Sequence, residues 1–161
     1  MRDKKWVAEH RGGNLKIEQH KELMRWALDC LNHLLPLLKN GINEKIKNAI
    51  NIGNKWADGS VKTGDAMKAS REIIKFVRTL DDRLEIAISR AAGHAVATAH
   101  AADHSMGPVI YGLKAAEIAG RSKDLELDWQ LHNIPNDIKE LVLTGLLNKK
   151  IINEDIVKKY T

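Results

Sequence analysis

The stretch Arg90 to Gly107 reads RAAGHAVATAHAADHSMG, with three histidines, His94, His100 and His104, set among alanines and one acid, Asp103, beside the last. At about 100° per residue, Leu84, Ile88, Ala91, Ala92, Ala95, Ala99 and Ala102 fall on one side of a helix, and Met106 continues that side. The other side is not uniformly polar: Ile86, Ala87, Ala97 and Ala101 share it with the histidines and with Arg83 and Arg90. A helix that is apolar or small all round is a central one. Its alanines let neighbouring backbones come close, so larger side chains there are expected to overpack. Asp81 and Asp82 supply a start for this helix, and Gly107-Pro108 its end and the start of the next.

Outward from this centre, apolar residues keep the helical period, and no alternating β-branched segment bounded by hairpin turns stands out. Upstream, Leu23, Ala27, Cys30, Leu31, Leu34, Leu35 and Leu38 make one stripe from about Ile17 to a stop at Asn40-Gly41, with Pro36 expected to kink or divide the helix. A second helix is expected over Asn43 to Ala57. A third begins near Thr63, read as its N-cap, and buries Ala66, Ala69, Ile73, Phe76, Val77 and Leu80. Beyond Pro108 a helix reaches about Gly120. A short one covers Leu125 to Leu131, another follows Pro135, and a last turn is capped by Asn153. The fold class is therefore all-α: a single-domain antiparallel bundle of about six to eight helices around the Ala-rich one, spanning 1–161, with 1–15 as a polar N-terminal arm. Lys5-Trp6, Arg25-Trp26 and Lys55-Trp56 read as helix-edge anchors, ring inward and cation wet.

A chain of 161 residues with 43% hydrophobic residues can bury a real core. Lys and Arg outnumber Asp and Glu by 26 to 21, a net +5, but they are scattered and form no nucleic-acid arm. Aromatic residues make up 4%, too few for a stacking surface for single strands, so no nucleic-acid partner is expected. Cys30, the single cysteine, has no disulfide partner within the chain. No apolar run approaches the roughly 20 residues that cross a bilayer, and the basic N-terminus has no apolar segment behind it. A cytoplasmic protein without membrane association is expected; the oligomeric state is left open.

On a continuous helix His100 and His104, four apart, lie within about 40° and could share a metal, whereas His94 is about 15 Å along the axis from His104 and could not join them. Such a site would need further ligands, for which Asp103, His33 and His132 are candidates. No HExxH, CxxC or deaminase signature occurs. The histidines therefore read either as structural or partner-facing groups, or as the pair of a small metal-binding protein or metal-dependent hydrolase. Glu9-His10-Arg11 beside Gly12-Gly13 is either a binding loop or a solvated arm. Cys30 with His33 three residues on could form a nucleophile pair, but a buried cysteine acting as a small hydrophobe accounts for its place on the stripe. Asp81, Asp82 and Glu85 are accounted for by the helix start. There is no P-loop, dinucleotide fingerprint or G-x-S-x-G, and no cofactor is expected.

The segments KWVAEHRGG (Lys5 to Gly13), HKELMRWALDCLNHLLPLL (His20 to Leu38), RAAGHAVATAHAADHSMGPVIYGLKA (Arg90 to Ala115) and DWQLHNIPNDIKELV (Asp128 to Val142) together resemble a family of all-helical immunity proteins of bacterial polymorphic toxin systems. The resemblance implies a non-enzymatic protein that binds and neutralises a cognate toxin; it carries over no catalytic residues. The partner-binding surface is then expected at Glu9, His10 and Arg11 together with His100, Asp103 and His104. Immunity proteins that cover a basic nuclease site tend to be acidic, and a net +5 argues against that mode.

Overall fold

The computed structural model describes residues 1–161 and is all-helical. Eight α-helices follow one another: α1 (Ile17–Leu34), α2 (Glu44–Ala57), α3 (Thr63–Val77), α4 (Arg83–Ala97), α5 (Gly107–Ile118), α6 (Lys123–His132), α7 (Asn136–Asn148) and α8 (Glu154–Tyr160). Short 3-10 turns occupy Lys4–Trp6, Glu9–Arg11, Leu35–Leu37 and Ala102–Met106. No helix is long and apolar enough to cross a membrane.

Side-chain caps set several starts. The side chains of Asn43, Asp82, Ser122 and Asn153 each accept a backbone N–H from the first turn of α2, α4, α6 and α8. Thr63 is not the cap of α3 but its first residue. Lys62 stands at the cap position, its N–H held by Asp65, and Thr63 Oγ1 accepts from Trp56 Nε1 at 3.1 Å. Pro36 divides the first long helix: α1 ends at Leu34 and gives way to a single 3-10 turn, about two turns before the expected stop at Asn40-Gly41.

The Ala-rich helix is central, as the sequence implies: α4 packs against α1, α2, α3 and α5. Ile88, Ala91, Ala92, Ala95 and Ala99 are buried with Met24, Leu28, Leu31, Ile46, Trp56 and Ile73 in one core. A second core joins Trp6 and Leu15 of the arm to Trp26, Cys30, Met106, Leu131, Ile138, Val142 and Leu146. Helix α1 therefore has two apolar faces rather than one stripe: Ala27, Leu31 and Leu34 serve the first core, Leu23, Trp26 and Cys30 the second. The anchors place their rings as expected, with Trp6, Trp26 and Trp56 buried and Lys5, Arg25 and Lys55 exposed.

Two expectations change. The helix expected to run to Gly107 stops at Ala97, and residues 98–101 turn before the short helical turn Ala102–Met106. No helix-breaking residue lies there. The cause is tertiary: the Thr98 carbonyl accepts from His20 Nε2 of α1 at 2.6 Å, and the His100 carbonyl from Arg11 Nη1 of the arm at 3.3 Å. These carbonyls are diverted to side chains far away in sequence, and the local ladder tightens to Thr98 N–Ala95 O and Ala99 N–Val96 O bonds. The arm, in turn, is docked rather than loose. Trp6, Ala8 and Leu15 are buried, and backbone bonds between Val7 and Leu15 and between Glu9 and Leu15 close it into a compact loop.

Candidate functional site

The break in α4 decides the geometry of the histidines. Because the chain folds back after Ala97, His104 returns to His94, and their Nδ1 atoms lie 3.0 Å apart. The pair excluded by the helical wheel is thus the one that bonds, while His100 and His104 are not one turn apart on an α-helix and their rings stand 5.6 Å centre to centre. Gly107 permits the approach, since a side chain there would run into His94. This glycine, read from sequence as a helix boundary, was the available signal for the contact.

One ring of the pair donates and the other accepts, so the bond persists when the pair holds one extra proton and is lost when both Nδ1 atoms carry hydrogen. Burial, His104, Lys149 and Arg90 push His94 down to about 4, with Asp103 opposing. Burial also lowers His104, assisted by Arg2 and Lys149 against Asp103. Burial lowers His100, helped by His104, Arg2, Arg11 and Arg71. The neighbourhood of the turn is therefore electropositive. His94 and His104 form one side of a pocket of about 360 Å³ that also receives Arg78, Arg90 and Tyr111.

The structure brings the two halves of the expected surface together. Arg11 reaches the His100 carbonyl, and Arg2 Nε lies 3.8 Å from Asp103 Oδ2. Glu9, His10 and Arg11 are exposed, and His100, Asp103 and His104 are half-buried. His100 Nδ1 and Asp103 Oδ1 are buried atoms with no hydrogen bond to the protein, as are Ser89 Oγ and Gln130 Oε1 elsewhere in the fold. No group of three or more His, Cys, Asp or Glu side chains is arranged to hold a metal ion. His33, a candidate further ligand, instead meets Glu126 Oε2 through Nδ1 at 2.9 Å and stacks on Trp129 at 3.7 Å. Cys30 is fully buried, and burial with Asp29 and Glu126 raises its thiol well above the ordinary range, so it does not supply a thiolate.

Sequence reasoning passes over His20. It is buried, edge-on to Trp56 at 4.8 Å, and fixes the turn through Thr98. Its lone position in HKELMRW gives no spacing signal.

A family model described as Imm-5 like putative immunity protein matches residues 13–137. The chain belongs to this immunity protein family. The matched span contains α1 to α6 and the turn with His100, Asp103 and His104, while Glu9, His10 and Arg11 precede it. No curated protein and no solved structure matches the chain.

Proposed function

We propose that this member of the Imm-5 like family binds a cognate bacterial toxin in the cytoplasm and occludes it, as one domain, without cofactor or chemistry of its own. The contact surface is the docked arm with the turn after α4: Glu9, His10 and Arg11 beside His100, Asp103 and His104. The observation that carries this reading, next to family membership, is the Arg11 bond to the His100 carbonyl, which joins an exposed polar loop and a turn with unpartnered buried atoms into one face. Such a face, polar at its edge and held by a rigid scaffold, suits recognition rather than catalysis. The cations that surround the turn favour a toxin whose contact surface is acidic, rather than the basic active site of a nuclease.

Co-expression with toxins encoded beside this gene tests the proposal, scoring growth rescue and co-purification. The wild-type chain rescues growth and co-purifies with one of them. A variant combining Glu9→Ala and His10→Ala, both exposed, loses both while its thermal midpoint stays within about 3 °C, since exposed substitutions cost little. His104 is tested separately because it bonds His94. Capture of no neighbouring toxin overturns the proposal.

A further inference from the structure

Between the arm and the α2–α3 connection lies a cavity of about 670 Å³ whose charged side chains have one sign. Arg2 and Arg11 reach it from the arm, Lys21 from α1 and Lys62 from the start of α3. The imidazoles of His10, His20 and His100 also line it, and no Asp or Glu side chain does. Arg2 has Asp103 at 3.8 Å, but neither Lys21 nor Lys62 belongs to an ion pair. The inner wall is apolar, with the indoles of Trp6 and Trp56 in it, and the Trp56 N–H is already given to Thr63.

Four cations gathered around a concave apolar wall, of which only Arg2 is paired with a carboxylate, repel one another in the free protein. The same arrangement attracts and orients an acidic ligand, because low-dielectric walls focus a field of one sign. An apolar pocket with a few convergent charged groups is also the usual form of a binding site. The geometry points to this cavity as the socket for an acidic segment of the protein partner, with carboxylates on the Arg2, Arg11, Lys21 and Lys62 rim and an apolar side chain against Trp6 and Trp56. The partner's identity as a toxin rests on the reading above; the preference for carboxylates rests on the cavity alone.

The test has a toxin-free arm that uses hexaglutamate as the probe, followed by ¹⁵N–¹H spectra of the full chain. The indole signals of Trp6 and Trp56 shift on titration while those of Trp26 and Trp129 stay. Affinity falls about tenfold or more between roughly 50 and 300 mM salt, because exposed charges are screened over that range. A Lys21→Glu/Lys62→Glu variant loses binding by about tenfold or more. A Lys75→Glu/Lys114→Glu variant, with the same change in net charge outside the cavity, retains it within about twofold, the contrast expected of a local site rather than of net charge. Absence of shifts at Trp6 and Trp56, or equal loss in the two variants, overturns the inference. In the second arm the toxin is co-expressed with the same variants. Toxin capture unaffected by Lys21→Glu/Lys62→Glu defeats the socket and leaves the immunity reading standing. Hexaglutamate binding with no toxin captured defeats the immunity reading and the partner assigned to the socket.

Discussion

His94 and His104 are joined by a bond between two Nδ1 atoms, with Arg90, Lys149, Asp103 and Tyr111 around them. Free imidazoles titrate near 6.5, whereas burial and cationic neighbours hold His94 down to about 4 and lower His20, His100 and His104 as well. Between the unfolded and folded values the unfolded chain binds more protons. Stability is therefore fully present above about pH 6.5 and falls as pH drops toward 4. For His94 the shift is worth roughly 3 kcal/mol at full value, and about 1–2 kcal/mol after discounting for its partial exposure. A His94→Gln variant, followed by thermal unfolding between pH 7 and pH 4.5, should lose less stability on acidification than the wild type; an equal loss would show that the pair does not carry this dependence. Glu126 is the other residue with a defined bonding role, accepting from His33 and from Gln130 Nε2 at 3.0 Å. Glu126→Ala leaves those donors without their acceptor and is expected to cost about 1–3 kcal/mol, read by denaturant unfolding. The residue types of these sites were visible in the sequence, but the His94–His104 and His33–Glu126 pairings were not, because those bonds close across 10 and 93 positions of chain.

Local chemistry fixes half of the eight helix starts, and it was readable in three: Asn43, Asp82 and Asn153 act through their own side chains on N–H groups two or three residues on. The end of α4 belongs to another class. Nothing between Ala97 and Ala102 disfavours a helix; the helix yields because His20 and Arg11 take the carbonyls of Thr98 and His100, so a wheel drawn through Met106 paired the wrong histidines. Replacing His20 by Phe keeps a ring against Trp56 and removes the donor. This His20→Phe variant should lose about 1–3 kcal/mol, the cost of an unpaired buried carbonyl, and its amides from Ala99 to His104 should exchange faster. Unchanged exchange there would mean that the break has another cause. The arm depends in the same way on α7, where a Cβ at Gly145 would stand 2.6 Å from Trp6 Cζ2 and 2.8 Å from Met106 Sδ. Gly145→Ala therefore should lift Trp6 from its seat, at about 1–3 kcal/mol from overpacking.

The two cores share one helix. Trp56 and Leu31 lie in the first, Trp6 and Trp26 in the second, and α1 supplies large side chains to both. Composition and periodicity revealed that the chain is helical and which residues are apolar, but a stripe drawn on α1 merges two faces. The division appears only when α6, α7 and the arm are placed on the side of α1 away from α2 and α3. Because neither core can keep its packing once α1 is released, unfolding should be a single cooperative event, as expected of one domain of this size. Far-UV circular dichroism reports helices from both halves, and tryptophan emission reports Trp6, Trp26, Trp56 and Trp129. Their thermal midpoints should coincide. Leu31→Ala, which removes a fully buried side chain from the first core only, should cost about 2–5 kcal/mol. That is a drop of roughly 5–15 °C for a chain of this length, and it should appear equally in both signals. In a Trp56→Phe/Trp129→Phe background, left with the second-core indoles Trp6 and Trp26, an emission midpoint that Leu31→Ala does not move while the helical signal melts in two steps would show that α1 does not couple the halves.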